Sequence, residues 1–398
     1  MASLFLAGGA VRDMLLGKVV RDMDFAFSGT EEEFVQCFPH ARKTNRRLSI
    51  WVAQGFEFCP LAGNSPEEDI LRRDLTINAL LLDENGRLFF HPRTLDDLRE
   101  RVLRPVSEHA FFDDPARVYR LARFAAALPD FSLADEAVEQ MRETAARDLL
   151  AALPAERVCG ETLKALAAPC PSRFLSVLEL GGCLSPWFAE VVGCSDIPAG
   201  PPPWHDNSVL EHTGEIMDAI ALHSGLPAGK RALAVWMGLC HDLGKADTDV
   251  TLLPHHYGHE VRGELAARTL GTRLSLPKRF IRAGAMAARL HMKAGMLERL
   301  RPATLRDTLW EAYAMKLHEE FWALAGADSG RNLQAAADAA LDCILSVRLP
   351  EEKRGLGEAS GRFLRELQCQ ALALARREES RAEKAAADDI DQASLKGI

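Results

Sequence analysis

The feature that most constrains this chain is a strand–turn–helix–strand pattern within residues 4–27. An apolar run, Leu4 to Ala7, meets a Gly8-Gly9 turn; a helical pattern follows through Val11, Leu15 and Leu16, and a second apolar strand carries Asp22 and Asp24. Paired glycines let backbone N–H groups approach a phosphate closely, and a helix N-terminus behind them favours negative charge. Residues two apart on a strand point to one face, so Asp22 and Asp24 are expected side by side. Such carboxylates repel unless a divalent cation lies between them, and hard oxygen ligands suit Mg²⁺ held together with phosphates. The layout is that of metal-assisted displacement at phosphorus. A lone GG or a lone DxD would say little; their order within so short a stretch says much more. Arg12-Asp13 adds a cation just past the turn.

Composition narrows the class. With 398 residues the chain has room for two to four domains, and 47% hydrophobic with 26% charged residues is ordinary for a globular protein. The nine cysteines form no CxxC pair, which favours a reducing cytosol and argues against a zinc ribbon. We see no signal-peptide pattern and no apolar run of membrane-spanning length, so a cytoplasmic protein without membrane attachment is expected. The formal charge of −9 argues against a nonspecific coat for nucleic acid, but not against an enzyme that grips RNA through a local basic surface.

From Met1 to about Ala110 strand and helix patterns alternate: a helix over Glu31–Phe38, strands over Leu48–Ala53, Phe56–Leu61, Ile77–Leu82 and Leu88–Phe90, with a turn at Asp83–Gly86. After Phe111 the patterns predict helices, over Asp114–Leu128, Ala134–Leu150, Pro154–Ala167 and Ser172–Leu180. Ile197–Pro203 reads as an extended proline-rich linker. A second helical block covers Ser208 to about Arg348. Ser360–Lys384 reads as one helix, and Ala385–Ile398 as a frayed end.

Two further polar clusters stand in the first half. Arg72-Arg73-Asp74-Leu75-Thr76-Ile77-Asn78-Ala79 sets adjacent arginines before a buried strand, where they can meet phosphate oxygens; alone it is also the plain start of a solvated strand. Asp113-Asp114-Pro115-Ala116-Arg117, with Arg120 and Arg123, gathers acids and arginines at a helix start with proline in its first turn. Without context it is a capped helix with a basic face.

GGAVRD followed by RDMD resembles the first motif of class II tRNA nucleotidyltransferases, the CCA-adding enzymes and their bacterial poly(A) polymerase relatives. RRDLTINA resembles the family's RRDxTxNA motif, and DDPAR its EDxxR motif, in the same order. The resemblance implies an α+β nucleotidyltransferase head, a small mixed sheet with helices (1–110), followed by an all-α neck and body that selects the nucleotide and binds RNA (111–196). It implies that Asp22 and Asp24 are catalytic and bind Mg²⁺, and that Gly8, Gly9, Arg12, Arg73, Asp74, Asn78, Arg120 and Arg123 bind the nucleotide. Asp113, Asp114 and Arg117 would match the base edge as a protein template. The partners implied are tRNA, CTP and ATP, with the protein a monomer or homodimer.

Two departures matter. Asp113 stands where the family has glutamate, and the interval from Asp24 to Arg72 leaves little room for the flexible loop that accompanies adenosine addition. A CC-adding enzyme is therefore an alternative. A poly(A) polymerase is another, though no strongly basic C-terminal extension is present; so is an RNA-binding protein whose only chemistry lies further along the chain.

That further chemistry is signalled by histidine, since eight of the twelve lie between His205 and His291. Imidazole and carboxylate from separate helices can hold a divalent transition metal with a position left open. His212, His241-Asp242 and Asp328 resemble the ligand set of an all-α HD phosphohydrolase domain (204–330), a phosphatase or 2′,3′-cyclic phosphodiesterase using Ni²⁺ or Mn²⁺. His259 and His291 would complete a second metal position. His255 and His256 fall in a loop, and residues 331–398 form a helical tail.

Overall fold

The computed structural model describes residues 3–20, 22–45, 49–63, 65–203 and 206–395. Its strands are β1 (Leu4–Ala7), β2 (Asp24–Phe27), β3 (Arg42–Asn45), β4 (Ile50–Ala53), β5 (Phe56–Pro60), β6 (Leu80–Asp83) and β7 (Leu88–Phe90), in one mixed sheet of order β3-β4-β5-β2-β1-β6-β7. β1 lies antiparallel to β2 and β6, whereas β2 and β5 run parallel. Ala26, Phe27 and Phe58 are buried, and Phe27 and Phe58 pack in one cluster with Phe34, on which Phe27 stacks at 4.2 Å. Phe34 comes from α2 (Glu31–Cys37), which starts cleanly because Thr30 and Glu33 cap each other's backbone N–H. α1 (Gly9–Leu15) follows the glycine turn, and α3 (Pro66–Leu71) opens on Ser65 as a cap.

Several expectations are corrected here. β2 begins at Asp24, so Asp22 lies before the strand and the alternation argument reaches only Asp24. Ile77–Leu82 is not one strand: Thr76–Asn78 is a 3₁₀ turn, and β6 starts at Leu80. The turn is held from outside, because Thr76 Oγ1 donates to Asp97 and Asn78 Nδ2 to Asp74. β3 escaped notice because its residues, RKTN, are polar, as an edge strand tolerates. The expected start of the next strand at Leu48 lies outside the described residues, as do Arg21 of the first motif and His205.

The remainder is helical: α4 (Thr94–Glu100), α5 (Ala110–Asp113), α6 (Ala116–Ala127), α7 (Asp135–Ala146), α8 (Ala155–Leu166) and α9 (Ser172–Leu180), then α10 (Val209–His223), α11 (Ala228–Cys240), α12 (His259–Arg273), α13 (Lys278–Gly295), α14 (Pro302–Ala314), α15 (His318–Ser329), α16 (Gln334–Ser346) and α17 (Glu358–Leu395). A short parallel pair, β8 (Val102–Leu103) with β9 (Ser132–Leu133), interrupts them. The helix expected over Asp114–Leu128 is α6, which starts two residues later at Ala116; a separate short α5 precedes it and ends before Pro115, which has no N–H to extend it. α17 runs to Leu395, past the fraying point expected at Ala385; residues 396–398 lie outside the description. Contacts divide the chain after Val192: one unit ends there and takes in Arg273–Ser275, and the other comprises the rest. Ile197–Pro203 is no free spacer, because Ala199 and Ile197 pair with Asn207 and Val209 and Ala199 is buried. Among the described residues no helix is long and apolar enough to cross a membrane.

Candidate functional site

In the first unit the three motifs meet at one end of the sheet. Gly8 turns the chain with φ of +58°, where a side chain is strained, and an added Cβ would stand 3.0 Å from Arg73 Nη1. The turn thus brings the first motif against the second. The Gly8 N–H itself donates to the Leu80 carbonyl at 2.9 Å, so it is committed to the sheet rather than presented to a phosphate.

Asp22 and Asp24 are both exposed. Asp24 registers with Glu57 on β5, and partners across a parallel pair share a face, so the exposed Glu57 joins Asp24 as a second carboxylate on that face. Sequence reasoning passed over Glu57; the signal was a lone acid at an otherwise apolar strand, FEFCP.

Behind these acids runs a continuous polar chain. Arg12 Nη1 donates to Asn78 Oδ1 at 2.7 Å, and Asn78 Nδ2 donates to Asp74 Oδ1 at 3.2 Å. Asp74 Oδ2 accepts from Arg120 Nε at 2.9 Å; Arg120 also reaches Glu161 Oε1 at 3.4 Å, and Arg123 Nε donates to Glu161 Oε2 at 2.5 Å. Burial alone would raise Asp74, yet the charge and hydrogen bond of Arg120, with the donors Leu75 N–H and Asn78, hold it below the ordinary carboxylate value. Arg73 is gripped by Asp69 at 2.8 Å. Arg12 Nε donates to Asp13 Oδ1 at 2.9 Å, so the four arginines expected at the nucleotide are each oriented by an acid, and a planar guanidinium so held keeps further N–H donors for a phosphate.

The third motif is arranged differently from expectation. Asp113 ends α5 and is exposed. Asp114 is gripped in bidentate fashion by Arg157 of α8 at 2.8 and 2.7 Å, while Arg117 Nε stands 4.0 Å away. Burial opposes ionisation of Asp114, but the hydrogen bonds and charge of Arg157 keep its pKa below the usual value. Arg117 instead donates to the carbonyls of Ala110 and Arg72, tying α6 to the second motif. Arg157 and Glu161 went unnoticed in the sequence, though they lie one turn apart on the polar face of α8.

The second unit holds a buried histidine–aspartate cluster. His212 on α10, His241 at the end of α11 and Asp328 on α15 form one group; Asp242, His259 and His291 form another, and within each the ligand atoms lie within 4.8 Å of one another. Asp242 lies between them. Its Oδ2 is 3.2 Å from His241 Nε2 and 3.7 Å from His212 Nε2; its Oδ1 is 3.5 Å from His259 Nε2 and 3.4 Å from His291 Nε2. Oδ1 is buried without a hydrogen-bond partner, an arrangement that a cation would relieve. Tautomers follow from the backbone: Nδ1–H of His241, His259 and His291 donates to the carbonyls of Gly238, His256 and Ala288 at 2.7, 2.7 and 3.0 Å. A carbonyl only accepts, so each Nδ1 carries a proton and Nε2 is the nitrogen turned inward, the one that a metal would take in place of a proton. The residues would suit a divalent cation at each group, and Asp242 turns one oxygen toward either group.

Without a cation, burial is the largest influence on His241 and would lower it, but Asp242 and Asp328 together push it up to about 9. Lys245 Nζ, 2.6 Å from Asp242 Oδ2, balances charge and also donates to the Ala199 carbonyl at 2.7 Å. Gly244 is required between them: a Cβ there would stand 1.9 Å from the His259 carbonyl oxygen. The residues expected in the HD set are thus together, and Ile197–Pro203 contributes carbonyls to their support, for His256 Nε2 bonds to Pro198 O.

Comparison with known proteins places this geometry. Residues 4–55 match the family described as the poly A polymerase head domain, and residues 130–192 match the probable RNA and SrmB-binding site of polymerase A. The multifunctional CCA protein of Aromatoleum aromaticum is 37% identical over 337 residues, covering 80% of this chain and 81% of its own. That of Halorhodospira halophila is 33% identical over 405 aligned residues, covering 93% and 96%. In fold, the chain is similar to the Bacillus stearothermophilus CCA-adding enzyme in complex with CTP, with TM-score 0.66, 22% identity, and 96% and 95% of the two chains covered. It is also similar to the Thermotoga maritima CCA-adding enzyme complexed with tRNA, with TM-score 0.63, 19% identity, and 93% and 87% covered. With a curated relative matched over nearly its whole length and the family's motifs joined in one hydrogen-bonded network, this chain belongs to the multifunctional CCA proteins, the class II tRNA nucleotidyltransferases.

Proposed function

We propose that the first unit adds cytidine and then adenosine to the 3′ end of tRNA, using CTP and ATP. The observation that carries this is the chain of bonds from Arg12 through Asn78, Asp74 and Arg120 to Glu161, which joins the motifs beside Asp24. Asp22 and Asp24, with Glu57, would hold Mg²⁺, which supplies charge neutralisation at the reacting phosphate and the leaving pyrophosphate. Arg12, Arg73, Arg120 and Arg123 orient the triphosphate, and Gly8 and Gly9 keep the turn narrow enough for it to approach. Asp114 and Arg117 face the base, Asp113 flanks them, and the helices through residue 196 receive the acceptor arm by phosphate and shape contacts. The tRNA 3′ oxygen bonds to the α-phosphorus as the bond to pyrophosphate breaks.

Purified protein incubated with tRNA ending at the discriminator base tests this, with CTP alone, ATP alone and both, read at nucleotide resolution. Full CCA with both substrates is expected. A halt at CC in the presence of ATP would favour the second reading, a CC-adding enzyme, which the short passage Leu61–Ser65 between β5 and α3 supports. Unlimited A-tailing without CTP would favour a poly(A) polymerase.

For residues 204–330 the proposal is a metal-dependent phosphohydrolase. His212, His241, Asp242 and Asp328 would hold one divalent transition metal such as Ni²⁺ or Mn²⁺, with His259, His291 and Asp242 at a second position. Such a metal supplies Lewis-acid polarisation of a phosphoryl oxygen. The chain's own part is to fix the imidazole tautomers and to set Lys245 against Asp242. Loss of phosphoesterase activity in His241→Ala, with nucleotidyl transfer retained, is the expected result.

A further inference from the structure

The histidine centre is open on one side. Asp328 is its most exposed side chain at 19%, followed by His212 and His259, whereas Asp242, His241 and His291 are at most 2% exposed. A substrate therefore arrives over Asp328, His212 and His259. His259 is the first residue of α12, and the loop that delivers it carries two exposed rings. Tyr257 is 70% exposed, and His255 stacks on it with centroids 5.8 Å apart and planes 16° apart. Tyr257 is two residues from His259, which limits their Cα separation to about 7 Å.

This loop is held firmly although its rings add nothing to the core. His256 is buried, with Nδ1 against Thr248 Oγ1 at 2.8 Å and Nε2 against the Pro198 carbonyl at 2.8 Å. Arg262 reaches back from α12 to donate to the Tyr257 carbonyl at 2.9 Å, the Gly244 carbonyl at 3.3 Å and Thr248 Oγ1 at 3.3 Å. A large planar side chain left in water on a pinned loop, two residues from His259, suits a partner with a flat face. Among ligands whose phosphate fits the histidine centre, a nucleoside supplies that face, and stacking accepts any base.

Resting on the phosphohydrolase reading, we infer that Tyr257, backed by His255, is the shelf on which the terminal base of a nucleoside 2′,3′-cyclic phosphate stacks while its phosphate lies at the histidine centre. The reaction consumes one water. Its oxygen bonds to phosphorus, the bond from phosphorus to one ribose oxygen breaks, and a proton from the water ends on that oxygen as a hydroxyl. The ligand is either a free nucleotide or an RNA end, and the two share this chemistry.

The test uses the full chain loaded with Ni²⁺ or Mn²⁺. Three substrates are compared: cytidine 2′,3′-cyclic phosphate, an oligoribonucleotide with a terminal 2′,3′-cyclic phosphate, and the cyclic phosphate of methyl riboside, which has no base. Tyr257→Ala should raise KM about tenfold for the two base-bearing substrates, leave kcat within twofold, and leave the base-free substrate unchanged. Tyr257→Phe should restore wild-type KM. A larger loss on the oligoribonucleotide than on the nucleotide identifies an RNA end as the ligand; an equal loss identifies the nucleotide. Unchanged KM in Tyr257→Ala, or the same loss on the base-free substrate, overturns the shelf. If the wild type hydrolyses none of them, the phosphohydrolase reading has failed, and equilibrium dialysis with labelled cytidine 2′,3′-cyclic phosphate decides the shelf. Binding about tenfold tighter in wild type than in Tyr257→Ala sustains it, and equal binding ends it.

Discussion

Replacing Asp74 by Asn interrupts the network at its middle without changing its volume. Asp74 accepts from Leu75 N–H at 2.8 Å and from Asn78 Nδ2 at 3.2 Å on one oxygen, and from Arg120 Nε at 2.9 Å on the other. An asparagine has one acceptor edge and one donor edge, so in either orientation an N–H meets an N–H. Turned to keep Leu75 and Asn78, it faces Arg120 with a donor. A hydrogen bond to a charged group contributes about 1.5–3 kcal/mol. Arg120 is 38% exposed and keeps Glu161 at 3.4 Å, so water takes up part of the loss and about 2 kcal/mol is expected. Hydrogen exchange of the β6 and α6 amides reads this in the first unit directly, and the cycle with Arg120→Gln isolates the pair. Once either partner is gone, removal of the other should cost little more, giving a coupling of about 1.5 kcal/mol. Additivity within about 0.5 kcal/mol would refute the reasoning. The pH dependence has a definite sign. Asp74 titrates lower folded than unfolded, so its contribution is complete above the ordinary value of 3.8 and is lost as pH falls through the folded value. The gap between wild type and Asp74→Asn should therefore close in acid.

Other outcomes follow from the same geometry. Asp24→Asn should reduce nucleotide incorporation by at least about a thousandfold with unchanged circular dichroism, because the residue is exposed; Glu57→Gln should reduce it about tenfold to a hundredfold, and wild-type incorporation in Glu57→Gln would remove that residue from the site. Asp242→Ala should lower bound metal from two ions per chain to one or none by atomic emission, since its two oxygens face both groups; unchanged stoichiometry would contradict a bridging role. Gly244→Ala should destabilise the second unit by about 3 kcal/mol or more in thermal unfolding, because its Cβ meets backbone that cannot give way.

The sequence carried the head well because its signals are local. Leu4–Ala7 and Phe56–Pro60 are apolar runs of strand length, and the Thr30/Glu33 capping box fixes the start of α2. It misplaced whatever tertiary contacts decide. Thr76–Asn78 carries residues that suit a strand, yet Asp97 and Asp74 draw their side chains sideways into a 3₁₀ turn. Asp22 shares the DxD spacing of a strand, but pairing stops at Asp24 opposite Ala7 and Glu57. The clustered histidines were legible as a set because HD with flanking histidines is an unusual pattern. The supports of that set were not, since a backbone carbonyl such as that of Gly238 or Pro198 has no letter of its own. Arg157 was hidden for another reason: its partner Asp114 lies 43 residues away, and an isolated arginine on a helix reads as solvated surface.

On the proposed reading, the two sites would hold a divalent cation in opposite ways. Asp22, Asp24 and Glu57 are exposed acids with oxygen donors only, so water competes for them and for the ion alike. Mg²⁺ gives up its water reluctantly and binds such a site best when substrate phosphates complete its shell. The ion there is expected to come and go with each nucleotide, and the arginines set by Asp69, Asp74 and Glu161 would matter by binding the same triphosphate. The histidine centre is buried and built of imidazole and carboxylate together, with three tautomers fixed by backbone carbonyls. Its donors are arranged before any ligand arrives and suit a transition metal over Mg²⁺. An ion so enclosed would belong to the protein rather than to the substrate, and this would free the rim around Asp328 and His259 to recognise the organic part of a phosphoester.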